Sequence, residues 1–287
     1  MHKPDNLPRQ SLYFDYQIFP VAPLPRGSGC RAQVVVGAGP MGLALALDLA
    51  RHGVRVLVLA AGQQVCEGSR AIVFTRRSLE ILQQLGAERV LVEQGLPWRF
   101  GTSYYRGQAV FRLEAPHDEH DRFAPLNNLQ QVLEAAMVDL IQQHPSIELR
   151  WGHLMTGVTC EVDEARLTVD TPQGTYTQCA SWVAACDGAR STLRQLQGLQ
   201  LEGESWQGRF VIADIKIDLP LPTERLAFFD PEWNPGNTVL MDREPFGIWR
   251  IDYQLPPDET PEQALQPASL AARIKAQLHS IGFGDRT

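Results

Sequence analysis

Three glycines near the start of the chain have the spacing of a phosphate-binding turn. The turn consists of Gly37, Ala38, Gly39, Pro40, Met41 and Gly42. The first glycine permits a tight turn, the second lets the main chain approach a diphosphate, and the third allows close helix packing. The helix that follows offers free N–H groups and its positive dipole end to phosphates. We therefore predict a dinucleotide diphosphate site at this turn.

The acidic residue that usually accompanies such a turn is missing. The end of the second strand should present Asp or Glu to an adenosine ribose, but Ala60 stands there. Losing hydrogen bonds to a charged acceptor costs about 1.5–3 kcal/mol. We hypothesise that Gln63 or Gln64, in the following loop, supplies the acceptor instead.

Two further short motifs contain charged residues at positions suited to ligand binding. Arg70 lies in S-R-A-I, where an isolated arginine is also typical of a solvated surface group. Asp187 and Gly188 follow the apolar run W-V-A-A-C, so Asp187 would lie at the carboxyl end of a strand. Open α/β sheets bind ligands there. The alternative is a turn aspartate that is stabilised by its own main chain.

Apolar spacing around the glycine turn predicts a strand, a helix and a second strand. Gln33–Val36 is short and β-branched, and Met41–His52 has apolar residues at helical spacing. Gly53 should end that helix in a left-handed conformation. Val54–Leu59 is nearly all apolar, as in a strand buried on both faces. These elements predict a β–α–β unit with a parallel sheet.

The rest of the chain changes character after Ser205. Helices are predicted at Arg77–Leu85, Asn128–Gln143 and 262–281. Before Ser205, strands are predicted at Ile147–Leu149, Gly157–Val162, Arg166–Thr171 and Trp182–Ala185, with a helix capped near Ser191. After it, they are predicted at Phe210–Ile217, Leu226–Phe229, Thr238–Met241 and Ile248–Tyr253. The later strands are rich in aromatic residues and predict a second, largely antiparallel sheet.

The composition is that of a globular protein, with 44% hydrophobic residues and a net charge of −7. An acidic balance without a polybasic run gives no reason to expect nucleic acid or an anionic membrane as a partner. No segment has the apolar length of a membrane span. Five cysteines without a C-x-x-C pair favour neither a disulfide framework nor a zinc site, so we expect no metal and a cytoplasmic location.

Taken in order, these motifs resemble the FAD-dependent aromatic hydroxylases, the single-component monooxygenases that include p-hydroxybenzoate, phenol and 3-(3-hydroxyphenyl)propionate hydroxylases. The matching blocks are G-A-G-P-M-G-L-A-L-A-L-D-L-A-R-H-G, S-R-A-I-V-F-T-R-R-S-L-E-I-L, N-L-Q-Q and C-D-G-A-R-S-T-L-R. The resemblance implies an α/β fold, with a Rossmann-like FAD-binding domain like that of p-hydroxybenzoate hydroxylase and a mainly antiparallel substrate domain. It also implies hydroxylation of a phenolic or aromatic substrate with NAD(P)H and O2.

The resemblance also implies a set of cofactor-binding positions. They are Gly37, Ala38, Gly39, Pro40, Met41, Gly42, Ala60, Arg70, Gln130, Asp187 and Gly188. The glycines would hold the FAD diphosphate, and Arg70 would contact FAD phosphates and help to position the nicotinamide cofactor. Gln130 would lie near the ribityl chain, with Gln131 the less favoured choice. Asp187 and Gly188 would serve FAD and NAD(P)H together.

The implied domain organisation is discontinuous. An extended arm on the surface is expected at 1–30, an FAD-binding domain at 31–96 and 126–204, and a substrate domain at 97–125 and 205–287. The family's later Gly-Asp block is not found, and we interpret Gly284–Asp285 as a coincidence. The chain is therefore expected to be a C-terminally truncated hydroxylase.

Two alternatives to an aromatic monooxygenase stay open. One is a non-catalytic FAD- or nucleotide-binding remnant, and the other is a different FAD-dependent oxidoreductase of the same fold. No catalytic acid or base is identified, because His117 and His120 are more typical of surface histidines and Tyr104 and Tyr105 of core tyrosines. The substrate, the choice of NADH or NADPH and the oligomeric state are also open, a homodimer among the options.

Overall fold

The computed structural model describes residues 11–25, 31–118 and 120–284, without the side chains of residues 31 and 32. Part of the predicted N-terminal arm and Asp285 of the Gly-Asp pair therefore lie outside the described residues. Within them, the chain divides into two compact units. The first contains the residues up to Gly68, Ile81–Leu91 and Gln130–Gly203; the second contains Ser69–Glu80, Val92–Leu129 and those from Glu204 onward.

Fifteen strands are present among the described residues. They are β1 (Arg31–Val36), β2 (Val56–Ala60), β3 (Val73–Phe74), β4 (Leu96–Pro97), β5 (Phe100–Tyr105), β6 (Gln108–Glu114), β7 (Leu126–Asn127), β8 (Ile147–Trp151), β9 (Leu154–Cys160), β10 (Ala165–Thr171), β11 (Gly174–Ala185), β12 (Phe210–Lys216), β13 (Arg225–Phe229), β14 (Thr238–Glu244) and β15 (Ile248–Gln254).

Seven α-helices connect these strands within the described residues. They are α1 (Pro40–Arg51), α2 (Arg76–Leu85), α3 (Glu88–Gln94), α4 (Gln130–Gln143), α5 (Thr192–Leu196), α6 (Pro261–Ala264) and α7 (Pro267–Ser280). A short 3₁₀ turn, Pro245–Gly247, joins β14 to β15. As predicted, Gly53 follows the first helix with a positive φ of 80°, which only glycine adopts readily.

The first unit is built on a six-stranded sheet in the order β8-β2-β1-β11-β10-β9. The first four of these strands are mutually parallel, and β10 and β9 are antiparallel. β2 is buried along its whole length, as its continuous apolar sequence predicts. One sheet face packs on α1 and α4, and the other holds an apolar cluster that includes Leu167 and Leu193 of α5. This layering brings the ends of β1 and β11 side by side.

The second unit is built on a six-stranded sheet in the order β12-β15-β14-β13-β5-β6. Its pairs are antiparallel except for β13 with β5, so the prediction of a largely antiparallel sheet holds. One face is apolar, with Trp249, Ile251 and Tyr253 packed in a cluster that includes Leu278 of α7. A three-stranded sheet, β3-β7-β4, completes the unit.

The described part of the N-terminal arm is irregular, as expected, but it is not simply laid on the surface. Phe19 is buried and stacks on Trp151, with the ring centroids 4.6 Å apart. Two hydrogen bonds anchor the main chain of the arm: Phe19 N–H donates to Gln63 O at 2.7 Å, and Ala22 N–H donates to Trp151 O at 3.1 Å. The expectation of a surface arm is wrong at this aromatic anchor.

Several elements differ from the predicted ones for local reasons. The β5–β6 hairpin was not predicted, because β6 is exposed along its length and lacks a buried apolar face. β11 begins at Gly174 and not at Trp182; its first half is largely polar and lacks the apolar run by which its second half was predicted. The predicted helix 262–281 is divided in two, and its second part starts with Pro267 at its N-terminus.

The unit boundaries also differ from the predicted domain boundaries. Residues 69–80 were assigned to the FAD-binding domain, but Ser69–Glu80 belong to the second unit. There the Asn128 N–H donates to Ile72 O at 2.9 Å, and Val73 and Phe74 pair with β7. The start of the chain, assigned to a separate arm, belongs in its described part to the first unit.

Candidate site at the first β–α turn

The turn between β1 and α1 is packed too closely for side chains at two of its glycines. Gly37 has φ of 110°, and a Cβ atom placed on it would lie 2.2 Å from the carbonyl oxygen of Cys186. A Cβ atom on Gly42 would lie 1.9 Å from the carbonyl oxygen of Gly37. Real Cβ atoms do not approach oxygen this closely, so both positions require glycine. These two residues set the path of the main chain.

Gly39 differs from the other two glycines, because the space beside it is open. A Cβ atom placed there would have no neighbour within 4 Å. Gly39 is the N-cap of α1 and, without a side chain, makes no side-chain cap bond to the helix. The first intrahelical bond runs from Leu43 N–H to Gly39 O, and Pro40 has no N–H to satisfy. The N–H groups of Met41 and Gly42 are therefore the ones that α1 presents at this end.

The end of β2 is buried, and the loop after it is held by several hydrogen bonds. Ala60 is only 3% exposed, and its carbonyl accepts a bond from His153 N–H at 2.8 Å. The Gln63 side-chain amide donates to Phe19 O at 2.9 Å and so binds the N-terminal arm. Gln64 donates to the Glu67 carboxylate, but its own Oε1 is buried without a hydrogen-bond partner. Gln64 thus has a buried acceptor atom without a partner.

Asp187 and Gly188 follow β11 immediately beside the glycine turn, since Val36 and Ala185 are paired in the sheet. Asp187 accepts bonds from Ser191 Oγ at 2.6 Å and from the N–H groups of Thr192 and Leu193 at 2.7 and 3.2 Å. Its carboxylate therefore caps α5, which is the turn alternative considered from the sequence. Gly188 is exposed with φ of 81°.

Cys186 separates the glycine turn from this capped helix. Its N–H donates to Val36 O at 2.8 Å, which continues the pairing of β1 with β11. Burial raises the pKa of the Cys186 thiol, so the side chain packs as a small apolar group against the position of Gly42. The sequence did not single this residue out. A cysteine between a strand and an Asp-Gly pair has no signal of its own.

The start of α4 carries the glutamines that were predicted to lie near the cofactor. Gln130 donates to Glu134 Oε1 at 2.8 Å, and Cys66 N–H donates to the other Glu134 oxygen at 2.6 Å. Gln131 is 1% exposed and donates to Gly68 O at 2.8 Å. Gln131 therefore anchors the loop after β2, while Gln130 is partly exposed. Glu134, four residues after Gln130 in the sequence, had been given no role of its own.

The remaining predicted residues belong to the second unit. Arg70 is exposed and belongs to the second unit, where its carbonyl accepts a bond from Arg250 Nη1. Tyr104, also in the second unit, stacks on Phe228 and lines a cavity of about 800 Å³. His117 and His120 are exposed. The described residues contain no group of His, Cys, Asp or Glu suited to a metal ion, and none of their helices is long and apolar enough to cross a membrane.

Comparison with known proteins places these features in a family. The FAD binding domain family matches residues 31–280. The chain is 31% identical over 232 residues to para-nitrophenol 4-monooxygenase of Pseudomonas sp. (strain WBC-3), covering 77% of this chain and 55% of that protein. It is 28% identical to a 3-(3-hydroxy-phenyl)propionate/3-hydroxycinnamic acid hydroxylase of Mycolicibacterium smegmatis, covering 84% and 42%. The chain thus spans about half the length of these relatives.

Solved structures share the fold. The p-nitrophenol 4-monooxygenase of Pseudomonas putida DLL-E4 aligns with a TM-score of 0.75 at 24% identity, covering 88% of this chain and 63% of that one. The flavin-dependent monooxygenase PieE, solved with FAD and substrate, aligns with a TM-score of 0.79 at 23% identity, covering 90% and 48%. The predicted fold class and the resemblance stated from the sequence are confirmed. The chain belongs to the FAD binding domain family and is a relative of its aromatic-ring monooxygenases.

Proposed function

We propose that this chain binds FAD at the β1–α1 turn and forms part of an NAD(P)H-dependent monooxygenase that hydroxylates a phenolic ring. The observation that carries the proposal is the open space beside Gly39 at an uncapped helix N-terminus. Main-chain donors and the positive end of the helix dipole would meet a diphosphate there. The family match and the names of the relatives support the assignment of the ligand as FAD.

The residues present fit the adenosine half of FAD despite Ala60. Ribose hydroxyl groups are hydrogen-bond donors and require an acceptor. Gln64 Oε1 is a buried acceptor without a partner, in the loop directly after β2. An unsatisfied buried polar atom costs about 1–3 kcal/mol, which a ligand hydroxyl would relieve. Gln64 is therefore the proposed replacement for the missing carboxylate, and Gln63 is the less suitable choice because it holds Phe19.

Further residues have proposed roles around the cofactor. Asp187 caps α5 and so fixes the main chain of Gly188, which we place against the cofactor. Gln130, oriented by Glu134, is proposed to donate towards the ribityl chain. Arg70 is proposed to contact the phosphates and the nicotinamide cofactor. Pro40, Met41 and Ala38 shape the turn, with Met41 75% exposed at its rim.

When bound, FAD would supply the oxygen-transfer chemistry, with NAD(P)H as reductant and O2 as oxidant. The protein would bind, orient and shield the reacting groups. The proposed substrate is a small aromatic molecule with a ring hydroxyl, as the names of both relatives indicate for those proteins. Neither nucleic acid nor a membrane is a proposed partner, and a homodimer is the proposed assembly.

The test is a flavin titration of the purified protein followed by NAD(P)H oxidation. We expect yellow, protein-bound FAD, and oxidation that a phenol such as 3-(3-hydroxyphenyl)propionate accelerates. The matched control is 3-phenylpropionate, which lacks the ring hydroxyl and should not accelerate it. Failure to bind FAD contradicts the proposal. Bound FAD without phenol-stimulated oxidation would instead support a non-catalytic FAD-binding protein.

A further inference from the structure

One face of the second sheet carries several buried charged residues beside the apolar Ile248. Side chains alternate along a strand, so Arg250 and Asp252 lie opposite Trp249, Ile251 and Tyr253. Asp214 of β12 and Asp242 of β14 flank Arg250 in the same row of the sheet. Together with Glu244 of β14, these residues form what we call the polar face. Glu244 is 1% exposed, Asp242 5% and Arg250 9%.

The polar face holds the Ser69–Arg70 segment of the same unit at two points. Arg250 forms two bonds of 2.8 Å to the Asp252 carboxylate, and its remaining Nη1 donates to the carbonyl oxygen of Arg70. Ser69 Oγ donates to Asp214 Oδ1 at 3.1 Å. The main chain that carries Arg70 is therefore positioned by Arg250 and Asp214.

Glu244 lies in the next row of this face, and neither of its carboxyl oxygens has a hydrogen-bond partner. Burial, and then the carboxylate of Asp214, raises the pKa of Glu244 to about 8. Asp242 and Asp252 also raise this pKa, while Arg250 lowers it. Lys216 of β12 belongs to the same row but is exposed. From β7, Asn127 contributes a neutral amide that donates to Arg243 O at 2.8 Å.

Ionisation of Glu244 would place an unpaired charge in this face. Such a charge is costly when buried unless a cation or hydrogen-bond donors stabilise it. The cation that acts on the carboxyl is Arg250, whose Nη1 is bound to the Arg70 carbonyl. The same charge would repel Asp214, which binds Ser69. Loss of one proton from Glu244 would therefore act against both bonds to the segment.

We propose that Glu244 is a positioning residue for Arg70: its carboxyl group decides whether Arg250 and Asp214 hold the Ser69–Arg70 segment. The inference rests on the proposed function, in which Arg70 contacts FAD phosphates. With the proton on Glu244 the segment is held, and without it the segment is released. The expected consequence is that FAD affinity falls as the pH passes about 8.

The test is the dissociation constant of FAD for the wild type and Glu244→Gln between pH 7 and pH 9. The protonated fraction of an acid with a pKa of about 8 falls roughly tenfold over this range, so the wild-type constant should rise by up to that factor. Glu244→Gln, which is always uncharged, should match the wild type at pH 7 and lack this rise. Glu232→Gln, at an exposed position of the same unit, should follow the wild type.

The outcomes separate the inference from the function it rests on. Absence of FAD binding at any pH contradicts the proposed function. FAD binding with the same pH profile in wild type and Glu244→Gln overturns the inference alone. A purely structural role would weaken Glu244→Gln equally at all pH values, which also overturns it.

A second measurement needs no variant. Trypsin cleavage after Arg70 is compared with cleavage after Arg190, an exposed arginine of the first unit, so that the pH dependence of the protease cancels. In the wild type without FAD, the ratio of the two rates should rise between pH 7 and pH 9. A constant ratio contradicts release of the segment.

Discussion

The three glycines of the β1–α1 turn can be told apart by adding a single methyl group to each. Gly37→Ala places Cβ 2.2 Å from the Cys186 carbonyl oxygen at φ of 110°, and Gly42→Ala places it 1.9 Å from the Gly37 carbonyl oxygen. Both obstacles are main-chain atoms held in the sheet or the turn. Gly39→Ala meets no atom within 4 Å and has φ of −82°. We therefore expect Gly37→Ala and Gly42→Ala to lower the stability of the fold, and Gly39→Ala to weaken ligand binding.

The magnitudes follow from these distances. Overpacking costs about 1–3 kcal/mol, and an unfavourable φ adds roughly 1–3 kcal/mol at Gly37. Gly37→Ala should thus lose about 2–6 kcal/mol of stability. At Gly42 the gain in helix propensity, about 1 kcal/mol, offsets part of the overpacking cost. Gly39→Ala should change stability by less than about 1 kcal/mol. It should weaken FAD binding roughly 10–100-fold, because a methyl group would displace a charge-assisted hydrogen bond.

The assay is urea unfolding of all three variants and of the wild type, followed by FAD titration of those that are folded. Gly39→Ala is the decisive variant, because we expect it to keep the stability of the wild type and to lose affinity for FAD. Wild-type affinity in Gly39→Ala would refute the diphosphate assignment. Wild-type stability in Gly37→Ala would refute the reasoning from the turn geometry.

Four other residues of the first unit give separate expected outcomes. Burial lowers the pKa of His153, so stability present above about pH 6.5 is lost as the pH falls; urea midpoints between pH 7 and 5 should decline more in wild type than in His153→Gln. Phe19→Ala removes the stack on Trp151 and should cost about 3 kcal/mol by thermal or urea unfolding, with an unchanged value counting against the arm's anchor. Asp187→Asn loses at least one of three accepted bonds and should cost roughly 1–2 kcal/mol in the same assay. Gln64→Met should weaken FAD binding roughly tenfold, and unchanged affinity would exclude Gln64 Oε1 as a ribose acceptor.

Local chemistry explains which parts of the fold were predictable. The glycine turn, the Gly53 helix end and the Ser191 cap depend on residues within a few positions of each other, and all three appear as expected. The buried β2 was visible as a continuous apolar run. The exposed β6 was not, because a strand without a buried face has no alternating pattern.

The candidate site was less predictable, because its decisive features join residues that are distant in the chain. The unpartnered oxygen of Gln64 depends on Glu67 and on how the loop is buried. Arg70 belongs to the second unit, where its carbonyl accepts a bond from Arg250, 180 positions later in the sequence. Glu244 lies beyond the predicted strand Thr238–Met241, and nothing in the sequence links it to Asp214 and Asp252. Residue types alone carry no information on such contacts.

The loop between β2 and β3 is hydrogen-bonded to the N-terminal arm and to α4, and this has a thermodynamic consequence for ligand affinity. Phe19 holds Gln63, while Glu134 and Gln131 of α4 hold Cys66 and Gly68. Ordering a flexible residue costs about 1–2 kcal/mol in conformational entropy. In the proposed FAD complex, a loop that folding has already immobilised would spare the nucleotide this entropic cost and so offset part of the binding that Ala60 does not provide.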